Sequence, residues 1–411
     1  MSRLGDVDVL VTGLGAMTPL GATAPESWQA LLDGRSGVRA LHDEHGSWPE
    51  ELPVRIAGSV SADPVDVLGR VHARKLDRGE QLAVAAAREA FQDAGRPPVE
   101  PERLAVVVGT GIGGVLSTLG QNDVYERSGM RKLSSYAVPM LMPNGPAAWV
   151  SIDLDARAGA RAPVSACASG AESIALALDL IRLGRADVVV AGGTEASLHP
   201  LMVAAFAQMK ALSRQEGDPA AVSRPFDADR SGFVIAEGAA VLVLERAEFA
   251  RARGARVYGA VAGAAVTSSA RHISASDTEG QVSAIQAALR DAELEPADIG
   301  HVHAHATSTP GGDLAEADAV TKALGTHPVV TATKSMTGHM LGASGAFGAM
   351  SALLSLRHGV VPATRNLDAL DPQINLDVVN GENRGGSWDA ALANSFGFGG
   401  HNVSLVLKRT P

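Results

Sequence analysis

One helix, turn and strand pattern is written twice in this chain. Ala90-Phe91-Gln92-Asp93-Ala94 leads through Pro101-Glu102-Arg103 into the apolar run that starts at Leu104. Ala288-Leu289-Arg290-Asp291-Ala292 leads in the same way through Pro296-Ala297-Asp298 into the run at Ile299. A supersecondary unit that recurs in this way marks duplication. It divides the chain into two similar halves, residues 1–252 and 253–411, meeting close to Ala252.

The rest of the chain reads as apolar strand-like runs alternating with amphipathic stretches, which is the pattern of an α/β protein with a largely buried sheet. Strands are expected at Val9–Thr12, Leu104–Val108, Val188–Ala191, Ala239–Leu244, Gly300–His303, Val329–Thr331 and Val403–Leu407. Helices are expected at Arg78–Ala94, Ser169–Arg182, Gln281–Ala292 and Gly342–Leu356. No low-complexity tract separates them, so the halves must pack together. In such sheets, sites form where loops leave the carboxyl ends of parallel strands.

Composition excludes several classes. Aromatic residues are only 4% of the chain while Gly is abundant, so the core must rely on aliphatic side chains and close backbone approach. A net charge of −10 argues against broad contact with nucleic acid. Met1-Ser2-Arg3-Leu4-Gly5-Asp6 shows no basic segment or cleavage site, and no later apolar run reaches the roughly 20 residues of a membrane span. The expectation is a cytoplasmic protein without membrane contact. Its single cysteine precludes an internal disulfide.

That cysteine lies in Pro163-Val164-Ser165-Ala166-Cys167-Ala168-Ser169-Gly170, ahead of a helix with Ile174, Leu178 and Ile181 on one face. At a helix amino terminus, free N–H groups and the helix dipole favour thiolate and can lower a cysteine pKa from ~8.5 to as little as ~3.5–7.5. The small neighbours leave room for a bulky group on the sulfur. The alternative is a buried, inert cysteine. A second cluster runs Val302-His303-Ala304-His305-Ala306-Thr307-Ser308-Thr309-Pro310. Strand alternation would put His301, His303 and His305 on one face, but no acidic or cysteine partner at a familiar spacing accompanies them, so no metal is expected. The third cluster is Thr333-Lys334-Ser335-Met336-Thr337-Gly338-His339. Taken singly, Lys334 reads as a surface lysine and His339 as a loop histidine.

Two glycine motifs carry less. Gly109-Thr110-Gly111-Ile112-Gly113-Gly114 formally fits the dinucleotide fingerprint, but no second strand ending in an acidic residue follows at the expected distance. Gly13-Leu14-Gly15 has Thr18 where a third glycine would stand. Both are read as tight turns allowing close packing.

In this order and at these separations, the three clusters resemble the elongating β-ketoacyl-acyl carrier protein synthases, most closely the bacterial synthase II type. The likeness spans nearly the whole chain, from Val11-Thr12-Gly13-Leu14-Gly15 through Ser223-Arg224-Pro225-Phe226-Asp227 to Asn394-Ser395-Phe396-Gly397-Phe398-Gly399-Gly400-His401-Asn402. It implies a thiolase fold, with two duplicated βαβαβ-containing halves packed as αβαβα layers, working as a dimer. It further implies decarboxylative condensation of an acyl chain on Cys167 with malonyl-acyl carrier protein. No cofactor is implied beyond the phosphopantetheine that carries the substrates.

Site roles follow from the same resemblance. Cys167 is the nucleophile, His305 and His339 flank it, and Lys334 organises their hydrogen bonding. The N–H groups of Cys167 and Phe398 hold the oxyanion, with Phe398 also a gate. Thr307 and Thr309 lie along the pantetheine arm, while Ile112, Phe206 and Phe396 contact substrate. Asp313 and Glu316 match acidic supporting positions, although a solvated helix start accounts for them equally well. Arg74, Lys75, Arg131, Lys132 and Lys210 match a carrier-docking surface. Two departures, Ala306 for Gly and His401 for Thr, occur together in actinobacterial relatives.

Neighbouring classes differ in defined ways. Thiolases need a second cysteine, initiating synthases use Asn where His339 stands, and chain length factors lack the nucleophile. A ketosynthase of a type II polyketide or polyene pathway, paired with such a factor as a heterodimer, remains an alternative to the homodimeric fatty acid enzyme. A non-catalytic carrier-binding subunit is the alternative of a different class.

Overall fold

Eleven strands form one sheet in the computed structural model, which describes residues 8–41, 48–49 and 51–410. The amino-terminal reading at Met1 to Asp6 lies outside those residues. In chain order the strands are β1 (Val9–Met17), β2 (Leu104–Gly109), β3 (Ala160–Arg161), β4 (Val188–Glu195), β5 (Gly238–Arg246), β6 (Gly259–Ser268), β7 (Ile299–His303), β8 (Val329–Thr331), β9 (Asp377–Val378), β10 (Ala390–Gly397) and β11 (His401–Lys408). The helices that matter here are α1 (Arg78–Asp93), α2 (Val115–Ser128), α3 (Gly145–Leu154), α4 (Ser169–Arg182), α5 (Pro200–Gln208), α6 (Thr278–Asp291), α7 (Pro310–Leu324) and α8 (Ser344–His358).

Across the sheet the order is β9-β8-β7-β10-β11-β6-β1-β5-β4-β2-β3. From the short antiparallel junction of β1 and β6, the pairing outward is the same on both sides: two antiparallel pairs, then parallel ones. Alternation along each strand explains the layering. Val106, Val108, Val190 and Val243 pack under α1, while Ala105, Val107, Ala191 and Leu242 face the opposite way, towards α4 and α8. On the other side Ala393 and Leu405 face α4 and α8, and Val302 and Leu392 face α6 and α7. Helix, sheet, helix, sheet, helix is the result. A sheet covered on both faces requires near-continuous apolar strands, which is why these runs were legible.

The Pro-bearing turns of the repeat are both single turns of 3-10 helix, Pro101–Arg103 and Pro296–Asp298, each feeding a parallel strand. Gly13-Leu14-Gly15 corrects the expectation of a tight turn, because it lies within β1. A Cβ on Gly13 would fall 2.1 Å from the Ala90 carbonyl oxygen, and one on Gly15 2.0 Å from that of Ala86. The glycines let α1 lie directly on the strand; close approach, not turning, is their reason. Helices α2 and α3 escape sequence reading because neither carries a strong apolar stripe. Among the described residues no helix is long and apolar enough to cross a membrane.

Candidate active site

All the loops that carry chemistry leave the carboxyl ends of parallel strands. Thr110–Ile112 follow β2, the Cys167 turn follows β3, His305 follows β7, Lys334 follows β8 and Phe398 follows β10. They converge on a cavity of about 750 Å³ lined by Cys167, His305, His339, Thr307, Thr309 and Phe398, with Ile112, Phe206, Phe396 and Lys210 also on its walls.

Cys167 occupies a 3-10 turn, Ala166–Ala168, immediately before α4. Ala166 holds φ +52°, a left-handed conformation costly for a residue with a Cβ. The turn is clamped by Ser169, whose hydroxyl accepts from the Ser165 N–H at 3.0 Å and lies 2.7 Å from the Ala166 carbonyl. The backbone N–H groups of Phe398 and of Cys167 itself pull the thiol pKa down, so the Phe398 loop packs close against the turn. Gly397 makes this possible, since a Cβ there would lie 2.4 Å from the Ser165 carbonyl. The expectation of a lowered thiol pKa is corrected. Burial pushes Cys167 up to about 11, with Lys334 pulling down and Glu195 pushing further up.

His305 and His339 face one another with ring centroids 5.5 Å apart. His339 Nδ1 lies 3.0 Å from Ser344 Oγ at the start of α8, and its Nε2 has no hydrogen-bond partner among the described residues. His305 Nδ1 is 3.5 Å from Lys334 Nζ, which also donates to the His305 carbonyl. Burial, reinforced by Lys334, holds both imidazoles well below their usual pKa, so both are neutral at neutral pH. Phe396 and Phe233 stand edge-on to His305 and His339 respectively.

Lys334 is no surface lysine and His339 no open loop histidine: they are 4% and 2% exposed. Burial lowers Lys334 to about 8 against the pull of Glu316, Cys167 and Asp313. Asp313 and Glu316, near the start of α7, are not solvated either. Glu316 accepts from the His305 and Ala306 N–H groups and from Asn394, while Asp313 accepts from Phe226 and Ser308. Sequence alone permitted the opposite answer, because a helix start stabilises an acid whether wet or buried.

The histidine row breaks at the strand end. His301 Nδ1 bonds the Val329 carbonyl at 2.9 Å, His303 Nε2 meets Thr333 Oγ1 at 2.9 Å, and His305 lies beyond β7. Among the described residues no group of three His, Cys, Asp or Glu side chains is placed to hold a metal ion. Of the two departures, Ala306 lines the cavity and His401 does not.

Lys210 is exposed at the cavity mouth; Arg74, Arg131 and Lys132 are exposed but away from its walls, and Lys75 lies over the Tyr136 ring at 5.7 Å. Sequence reading missed Phe233, Leu341, Ser344 and Glu195. Only Glu195 left a signal, an acidic residue closing a strand that otherwise carries no charge.

Five layers, a cysteine at a helix-preceding turn and two facing histidines define an acyltransferase of the thiolase fold. Models of the β-ketoacyl synthase N-terminal and C-terminal domains match residues 6–250 and 258–368. The chain belongs to the β-ketoacyl synthase family. It is 44% identical over 407 residues to the 3-oxoacyl-(acyl-carrier-protein) synthase 2 of Mycobacterium tuberculosis, covering 98% of this chain and 97% of that one. Among solved structures it resembles a type II polyketide ketosynthase bound to a hexaketide in complex with its acyl-carrier protein (TM-score 0.91, 29% identity, 98% and 100% coverage). It also resembles the ishigamide ketosynthase/chain length factor (TM-score 0.90, 31% identity, the same coverage).

Proposed function

We propose that this chain condenses an acyl group held on Cys167 with malonyl-acyl carrier protein, releasing carbon dioxide and forming the 3-oxoacyl product of fatty acid elongation. The observation that carries the reading is the convergence of one thiol and two neutral imidazoles on a single cavity, with Phe398 also on its wall. Residues 1–252 supply the thiol and residues 253–411 the His, Lys and His.

Each group has a task its chemistry fits. An ammonium can only donate, so His305 Nδ1 accepts from Lys334 and its proton sits on Nε2. With the Ser344 hydroxyl as donor to Nδ1, His339 takes the same tautomer. Two such donors stabilise the enolate that forms as malonyl loses carbon dioxide. The enolate carbon attacks the acyl thioester carbonyl, whose oxyanion is received by the N–H groups of Cys167 and Phe398, and the thiolate leaves. Thr307 and Thr309, with hydroxyls 3.0 Å apart, flank the pantetheine arm, and Ile112, Phe206 and Phe396 wall the acyl and reacting ends. Asp313 and Glu316 hold the loop that carries His305. The chemistry requires no metal. Incubation with an acyl-loaded and a malonyl-loaded carrier should yield the 3-oxoacyl carrier with one carbon dioxide per turnover. Simple acyl transfer without carbon dioxide would overturn the reading.

A second copy of the chain completes the molecule in this reading. Strand β3 is an exposed sheet edge, α2 has no buried residue, and Val138, Ile152 and Val164 nearby are 63%, 69% and 51% exposed. Unpaired edges and contiguous apolar surface are what an interface covers. A monomeric mass in solution would exclude this. The mass of a mixed pair from cells would instead favour the polyketide alternative, since one structural neighbour is a ketosynthase/chain length factor.

The carrier docks, in this reading, on Arg74, Lys75, Arg131, Lys132 and Lys210, a basic rim on a chain of net charge −10. Such a rim steers an acidic partner and weakens with salt. Arg131→Glu with Lys132→Glu should raise KM for carrier-bound substrate about tenfold, as two lost charge contacts would, while turnover of small free thioesters is unchanged. Equal loss on both substrates would remove these residues from the docking surface.

A further inference from the structure

Glu195 closes β4 with a side chain that is fully buried and receives four donors. Its Oε1 accepts from Thr110 Oγ1 at 2.9 Å and the Ile112 N–H at 3.3 Å; its Oε2 accepts from the Gly111 N–H at 2.8 Å and the Gly342 N–H at 3.1 Å. Among the described residues no basic side chain pairs with it. The knot is tight. A Cβ on Gly111 would come within 2.7 Å of Glu195 Oε2, and one on Gly342 within 2.6 Å of the Gly111 nitrogen.

This carboxylate raises the pKa of Cys167, a burden on a residue that must lose a proton. Burial pushes Glu195 itself up to about 7 against the pull of its four donors, and an acid buried without a cation beside the nucleophile needs a compensating use. Its partners show what that use is. Ile112 and Leu341, on either side of the knot, both line the cavity, and Leu341 is held at φ +42°, a strained conformation for a leucine. The two wall segments come from different halves of the chain, and Glu195 bonds both.

We propose that Glu195 is a specificity-determining positioning residue, stapling Thr110–Ile112 to Gly342 so that the acyl end of the cavity keeps a fixed depth. This rests on the reading of the cavity as an acyl-binding site. The staple works through backbone donors, so its strength depends on acceptor oxygens rather than on side-chain volume. Glu195→Gln keeps the volume but puts an NH2 where donors already converge, freeing either Ile112 or the Gly111 and Gly342 pair.

The test is a ladder of saturated acyl-coenzyme A thioesters, with the acyl-Cys167 adduct followed by intact mass. In Glu195→Gln, discrimination between the best-accepted chain and the next longer one should fall about fivefold, the effect of one lost hydrogen bond. Thr110→Val should act in the same direction, and Thr110→Ser should restore the wild-type profile. A uniform loss at every chain length, or an unchanged profile, would overturn the proposal. Hydrogen exchange gives an independent measure: peptides covering Gly111–Ile112 and Leu341–Gly342 should lose protection in Glu195→Gln while Thr307–Thr309 keeps it. If the wild type takes no acyl group at all, the synthase reading fails, and the exchange result alone decides whether the staple exists.

Discussion

Replacing Cys167 with alanine should leave a chain that takes up no acyl group and forms no condensation product, because the sequence contains no other thiol. Intact-mass measurement with a fatty acyl thioester would show the unmodified mass only. Cys167→Gln should behave differently. Its amide presents a carbonyl to the Cys167 and Phe398 N–H groups much as the acyl thioester does, while His305 and His339 are untouched, so malonyl decarboxylation should continue without condensation. The two variants separate the two halves of the reaction. An acyl adduct on Cys167→Ala, or a Cys167→Gln chain that leaves malonyl intact, would break the division of labour between thiol and histidines.

The second large effect concerns Lys334. In the Cys167→Gln background, Lys334→Met should slow decarboxylation by about 10²–10³, the cost of losing an aligned donor at a developing oxyanion. The route is indirect: without the ammonium, His305 Nδ1 loses its donor, its tautomer is no longer set, and Glu316 is left as a buried carboxylate without its nearby cation. The same residue predicts a pH dependence. Burial lowers Lys334 to about 8, so the cation is present below that pH and lost above it. Decarboxylation should therefore fall as pH rises through about 8. Cys167 is one of the groups that raise Lys334, so in the Gln variant the fall sits no higher. A flat profile between neutral and alkaline pH, or a Lys334→Met chain within threefold of its parent, would remove Lys334 from this role.

The order of the three clusters and the apolar strands around them were legible because both are local properties. Ala105, Val107, Leu242 and Leu405 announce a sheet buried on both faces wherever they are read. Cys167, His305 and His339 are chemically distinctive and sit in short runs of small residues that few other tasks require. The protonation state of the site was not legible. The amino terminus of α4 argues for a lowered thiol pKa, yet Cys167 lies at the floor of a cavity and burial outweighs it. Lys334 and Glu316 have side chains that are usually wet; which faces the interior depends on how β7, β8 and α7 stack.

Sequence by itself therefore determined the duplication, the α/β layering and the residues proposed here to react, since periodicity and residue type are written along the chain. Only the tertiary structure decided that Gly13 lies in a strand, that Asp313 and Glu316 are dry, and that Glu195 joins two loops from opposite halves. Those facts depend on which segments come within hydrogen-bond distance once the sheets have packed. Thr110–Ile112 and Gly342 are remote in sequence and become neighbours through one carboxylate.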